Sequence, residues 1–170
     1  MAPLVILALL AAGCGGSSDK QANEAYANNV CSAIGSWGQE LKSIASTFTG
    51  SISKATLESS ITQAESATRN LETQLKSVSP PNTSQGDAAK QQLDQLTTDI
   101  NNTIGAAKGA LSQIQGSPSA ATISATVVAL TPQVQALAAE TKSAIGTLQD
   151  AGGALASAFK STESCQSLGD

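Results

Sequence analysis

The side chains able to do covalent or acid–base work are few and widely scattered. The chain of 170 residues has three cysteines, Cys14, Cys31 and Cys165, and no histidine. That removes Ser-His-Asp and Cys-His nucleophiles, histidine metal sites and an imidazole pH switch. Serine precedes lysine by three residues at Ser17 and Lys20, Ser51 and Lys54, and Ser157 and Lys160. Such a spacing lets an amine activate a hydroxyl one helical turn away. Three occurrences in a serine-rich chain, without the Ser-Asp-Asn and Lys-Thr-Gly elements that complete such a site, read as coincidence. Glu58, Glu65 and Glu72 recur every seven residues and could line a cation-gathering stripe. They read instead as a solvated helix face opposite Leu57, Ile61 and Leu71. Asp87, Asp94 and Asp99 lack the spacing of a calcium loop or of a two-carboxylate hydrolase. The expectation is a protein that is not an enzyme, with no catalytic, cofactor or metal residue.

Cys14 is the exception with a chemical role. It follows an apolar run, Leu4 to Ala12, that is too short to cross a bilayer, which takes about 20 residues, and matches the core of an export signal. The run closes as Leu10-Ala11-Ala12-Gly13-Cys14, which resembles the lipobox of bacterial lipoproteins. The resemblance implies that the Cys14 thiol receives a diacylglyceryl group. Residues 1–13 are then removed as a signal peptide, and the acyl chains hold the protein to the membrane. A signal of this kind begins with Lys or Arg, whereas this chain begins Met1-Ala2-Pro3, so the start codon is expected upstream. Residues 14–21, rich in Gly and Ser, are expected to be a flexible tether reaching about 15 Å, and residues 22–170 the folded domain.

With Cys14 lipidated, Cys31 and Cys165 remain as an even pair in an oxidising compartment. The reading is a disulfide closing a loop of about 134 residues, whose entropy corresponds to at most about 5 kcal/mol; the alternative is two separate buried thiols.

These residues must be positioned by helices. The chain is 41% hydrophobic but only 2% aromatic, and the apolar residues keep helical spacing. A first helix is expected from about Lys20 to Thr47 through Ala27, Val30, Ile34, Trp37, Leu41, Ile44 and Phe48, ending at Gly50. A second runs from Lys54 to Val78, capped by Ser53 and stopped by Pro80 and Pro81. A third starts near Ser84, where Ser84-Gln85-Gly86-Asp87 approximates a capping box, and ends before Gly116-Ser117-Pro118. The fourth follows Ile123, Val127, Leu130, Val134, Leu137, Thr141, Ala144 and Leu148, with Pro132 expected to kink rather than reverse it. Only Thr122 to Leu130 has the β-branched density of a strand, and it would have no partner.

Rise per residue makes the bridge informative about topology. Cys31 lies about 16 Å above the start of the first helix at 1.5 Å per residue. A last helix unbroken from Ala120 to Cys165 would span about 67 Å and overshoot its neighbours. A break at Asp150-Ala151-Gly152-Gly153 lets a short helix, about Ala154 to Thr162, fold back and bring Cys165 level with Cys31; one continuous helix is the alternative. The fold class is therefore all-α: an up-down-up-down four-helix bundle with a short extra C-terminal helix, tethered by an N-terminal lipid. Gly105 and Gly109 would permit close helix packing, Tyr26 would cover the end of the bundle, and Trp37 is a core anchor or the wall of a ligand pocket.

The anchors Val30-Cys31-x5-Trp37, Pro80-Pro81-x4-Gly86 and Ala158-Phe159-x5-Cys165-x2-Leu168 are similar to those of small envelope lipoproteins of actinobacteria. That resemblance implies the paired cysteines and the helical fold, and brings no catalytic residue. Nine Lys+Arg against thirteen Asp+Glu, a net charge of -4, argue against nucleic acid as a partner. The functional expectation is a membrane-anchored envelope lipoprotein on the extracytoplasmic side of the cell membrane, a structural or interaction module meeting an envelope protein or a cell-wall polymer. The alternative is a carrier that holds a small apolar ligand or lipid between its helices near Trp37.

Overall fold

The computed structural model describes residues 16–47, 53–114, 116 and 118–168. The lipobox with Cys14, and the helix-ending Phe48 and Gly50, lie outside them. The elements are α1 (Gly16–Ser46), α2 (Lys54–Ser77), α3 (Ser84–Ser112), α4 (Ala120–Asp150), α5 (Gly153–Ser161) and α6 (Glu163–Gln166). No strand occurs among the described residues, and the β-branched stretch 122–130 is helix.

Local chemistry sets the ends. Ser53 Oγ accepts from the Thr56 amide at 3.1 Å and Ser119 Oγ from the Thr122 amide at 3.2 Å, satisfying amides that have no intrahelical partner. At α3 the cap is Thr83, one residue before the expected Ser84, with its hydroxyl accepting from the Gly86 amide at 3.1 Å. Gly86 packs so tightly that a Cβ there would stand 1.9 Å from the Pro81 carbonyl oxygen, which explains a glycine in a first helical turn. α1 departs more from expectation: it begins at Gly16, so residues 16–21 are helical rather than a flexible tether. Asp19 complements the helix N-terminus, and Lys20 pairs with Glu24 at 3.7 Å; both favour helix over coil. Residues 18–22 are exposed and Asn23 is the first buried position, so α1 projects below the bundle as a helical stalk.

α4 runs unbroken through Pro132. The ring nitrogen cannot donate to the Val128 carbonyl, so one helical hydrogen bond is missing there. Gly152 and Gly153 then adopt positive φ, 79° and 71°, a conformation glycine enters without penalty, and the chain reverses. α5 rises between α4 and α1 and buries Leu155, Ala158 and Phe159. α6 brings Cys165 against α1, where it forms a disulfide with Cys31, Cα atoms 5.0 Å apart. The expected bridge and the fold-back that permits it are both present.

The neighbours are α1 with α2, α5 and α6, then α2 with α3, α3 with α4, and α4 with α5. α5 rather than α4 therefore closes the ring onto α1. The main core joins Val30, Ile34, Trp37, Leu71, Leu93, Leu96, Ile100, Leu148 and Phe159. A second, smaller cluster at the opposite end joins Leu57, Leu111, Ile114 and Ile123. Between them α4 is poorly covered, because α5 spans only about 13 Å of a helix about 46 Å long. Val134, expected on the core phase, is 58% exposed for this reason. Gly105 and Gly109 are not packing sites either: a Cβ at each would meet nothing within 4 Å.

Candidate functional site

Trp37 is a core anchor. Its indole Nε1 donates to Thr68 Oγ1 at 3.2 Å in the buried α1–α2 interface, so both polar atoms are satisfied where burial would otherwise penalise them. The three glutamates also have partners. Glu65 receives Lys108 across the α2–α3 interface at 3.1 Å and Arg69 at 3.4 Å. The Lys108 hydrogen bond holds its carboxyl below the usual carboxylate range. Glu58 pairs with Lys54 and Glu72 with Lys76, and Asn101 donates to Glu72 from α3. The stripe is a solvated, ion-paired face that also stitches α2 to α3. Ser157 donates to the Gly153 carbonyl at 3.1 Å while Lys160 pairs with Asp150 at 3.3 Å, so this serine and lysine are engaged elsewhere. Ser51 lies outside the described residues. No group of three Cys, Asp or Glu side chains clusters among the described residues.

Tyr26 lies beneath the α2–α3 corner at one end of the bundle. It is 3% exposed, edge-on to Phe159 with ring centroids 6.1 Å apart. The reason is the turn after α2: Pro80 and Pro81 stop the helix, Thr83 restarts the chain as α3, and this corner overhangs α1. Beneath it lies a groove of about 170 Å³. Its floor is Leu75, Val78, Pro80 and Leu93, with Tyr26 at its depth and Thr97 on one wall. Its rim carries Glu72 and Lys76 from α2 and Lys90 and Asp94 from α3. Within each helix the charges pair, Lys76 to Glu72 at 3.5 Å and Lys90 to Asp94 at 2.5 Å. Burial, and secondarily the Asp94 carboxylate, push the Tyr26 phenol up to about 12. Nothing in periodicity marks Tyr26 as bordering a groove, so the sequence places it only at the end of the bundle.

A second feature is a surface. From Gly109 to Ala139 the chain has no Asp, Glu, Lys or Arg. Within that stretch Val127, Leu130 and Val134 fall at i, i+3 and i+7, the first two half-buried and Val134 exposed. Val128, which helical geometry turns roughly 160° away from Leu130, is 70% exposed on a different face. α4 is long and apolar enough to cross a membrane by length and composition, yet only 11% of its most apolar window is buried. The face that carries Leu130 and Val134 packs in the bundle on either side of them, through Ile123 and through Leu137, Ile145 and Leu148. Val127 still touches the smaller cluster, so the uncovered part is the middle of this apolar, uncharged face, at Leu130 and Val134.

The chain matches no protein-family model, no curated protein and no solved structure.

Proposed function

We propose that this protein is a lipid-anchored interaction module of the cell envelope, without enzymatic activity, that meets a partner protein through the exposed face of α4. The observation that carries the reading is the uncharged, uncovered middle of the apolar face of α4, where Leu130 is partly open and Val134 is 58% exposed. Apolar residues at i, i+3 and i+7 are the anchors by which a helix seats in a partner's groove. Contiguous exposed apolar surface on a monomer marks such sites, and burying one valine contributes about 1.5 kcal/mol.

The lipid anchor is supported by the lipobox around Cys14, and an exported location by the Cys31–Cys165 bridge, since disulfides persist outside the reducing cytosol. Lipid on Cys14 would sit two residues before α1. The stalk then raises the bundle from the membrane, and this uncovered face, on the half of α4 remote from that end, faces the envelope.

The test is in-cell photocrosslinking of the lipoprotein with the reactive side chain at Leu130 or Val134, and at exposed Gln91 on α3 as control. A single envelope protein captured from both α4 positions and not from Gln91, and lost in Val134→Glu, is the expected result. Identical capture from all three positions overturns the reading. A carrier of an apolar ligand at Trp37 has less in its favour, because the indole is hydrogen-bonded within the core.

A further inference from the structure

We propose that the groove beneath the α2–α3 corner binds a small zwitterion, an ammonium and an anionic group on a short skeleton, with the Tyr26 hydroxyl as its central hydrogen-bonding contact. The first observation is Tyr26 itself. The residue is 3% exposed and lines the groove. Its hydroxyl has no hydrogen-bond partner among the described residues, yet no buried side-chain oxygen or nitrogen is left unsatisfied. The hydroxyl is therefore open to solvent rather than sealed in the core, in a residue that lines the groove. A phenol both donates and accepts, so it serves either end of a dipolar ligand.

The second observation is the rim. Lys76 and Lys90 stand there with Glu72 and Asp94, two charges of each sign on two helices. Lys90 and Asp94 form an exposed pair, an arrangement that costs little to open, and the exposed Lys76 pairs with the half-buried Glu72 at 3.5 Å. A lone anion takes up the lysines and leaves the carboxylates facing it; a lone cation does the reverse. Only a ligand bringing one charge of each sign replaces the internal pairs without leaving a charge opposed. Size narrows the class further. At about 170 Å³ the groove is below the roughly 300 Å³ at which drug-sized ligand pockets begin, which favours a ligand with a short skeleton. A free amino acid and the phosphoethanolamine headgroup of a lipid share this chemistry.

The experiment is amide NMR on the oxidised full chain in a nonionic detergent, titrated separately with leucine, phosphoethanolamine, inorganic phosphate and ethanolamine. Saturable shifts at Leu75, Asp94 and Thr97 with leucine or phosphoethanolamine, and none with phosphate or ethanolamine alone, are expected. Leucine alone identifies a free metabolite as the source. Phosphoethanolamine binding, repeated with phosphatidylethanolamine nanodiscs, identifies a headgroup. Tyr26→Phe removes only the hydroxyl and keeps the ring against Phe159, so it should retain the thermal midpoint and weaken binding about tenfold, the worth of one hydrogen bond. No saturable shift with either zwitterion, equal binding by phosphate alone, or undiminished binding by folded Tyr26→Phe would each overturn the proposal.

Discussion

Reduction of the Cys31–Cys165 bridge is the most informative perturbation, because it deletes no atom from the core. The bridge joins residues 134 apart. Chain entropy for such a loop is about 17 cal/mol/K, or about 5 kcal/mol at 25 °C. For a folded unit of roughly 150 residues, where 1 kcal/mol moves the midpoint by about 2–4 °C, that is a drop of about 10–20 °C. The folded state should survive reduction at 25 °C, since Phe159 and Leu155 remain buried in the main core without help from the sulfurs. The assay is urea unfolding followed by the single tryptophan, Trp37, with and without a phosphine reductant and with free thiols counted. The midpoint should fall and the urea dependence should steepen, because the released unfolded chain exposes more surface. An unchanged Trp37 transition with both thiols free would refute the reasoning: the C-terminal segment would then be an appendage, not the element that closes the ring.

Two glycine substitutions should have opposite signs. Gly105→Ala, where a Cβ meets nothing within 4 Å, should stabilise by about 1 kcal/mol through helix propensity. Gly86→Ala, 1.9 Å from the Pro81 carbonyl oxygen, should destabilise by about 1–3 kcal/mol; thermal melts of both would expose a wrong sign. Tyr26, the one tyrosine, should titrate near 12 in the folded protein when phenolate absorbance is followed. With its folded pKa raised, its contribution of about 3 kcal/mol is fully present below pH 10 and is lost as pH rises towards 12. A folded-state titration near 10 would contradict its burial. Val134→Glu should leave unfolding within about 0.5 kcal/mol, since the side chain is 58% exposed; a larger loss on calorimetry would mean that α4 is covered after all.

Helix periodicity and proline stops made α2, α3 and α4 readable to within about three residues, and the Ser53 cap marked the start of α2. The C-terminal fold-back was readable too. A 1.5 Å rise, two consecutive glycines and a cysteine pair leave few ways to place Cys165 beside Cys31. What escaped was decided by neighbours rather than by local pattern. Val134 keeps the apolar phase of its helix, but its exposure depends on the nine-residue length of α5, which leaves the middle of α4 uncovered. Tyr26 has the spacing of a core residue and also borders a groove only because the Pro80–Pro81 corner overhangs it. The early start of α1 turned on electrostatics: Gly and Ser suggest coil, whereas Asp19 and the Lys20–Glu24 pair favour a helix there.

The most direct measurement is the unreduced intact mass of the protein extracted from the membranes of its native cells. A chain beginning at Cys14, carrying a diacylglyceryl group and lighter by the two hydrogens of a closed Cys31–Cys165 bridge, is the result expected of an exported, lipid-anchored bundle. An unlipidated chain that retains residues 1–13, with Cys31 and Cys165 as free thiols, would contradict it.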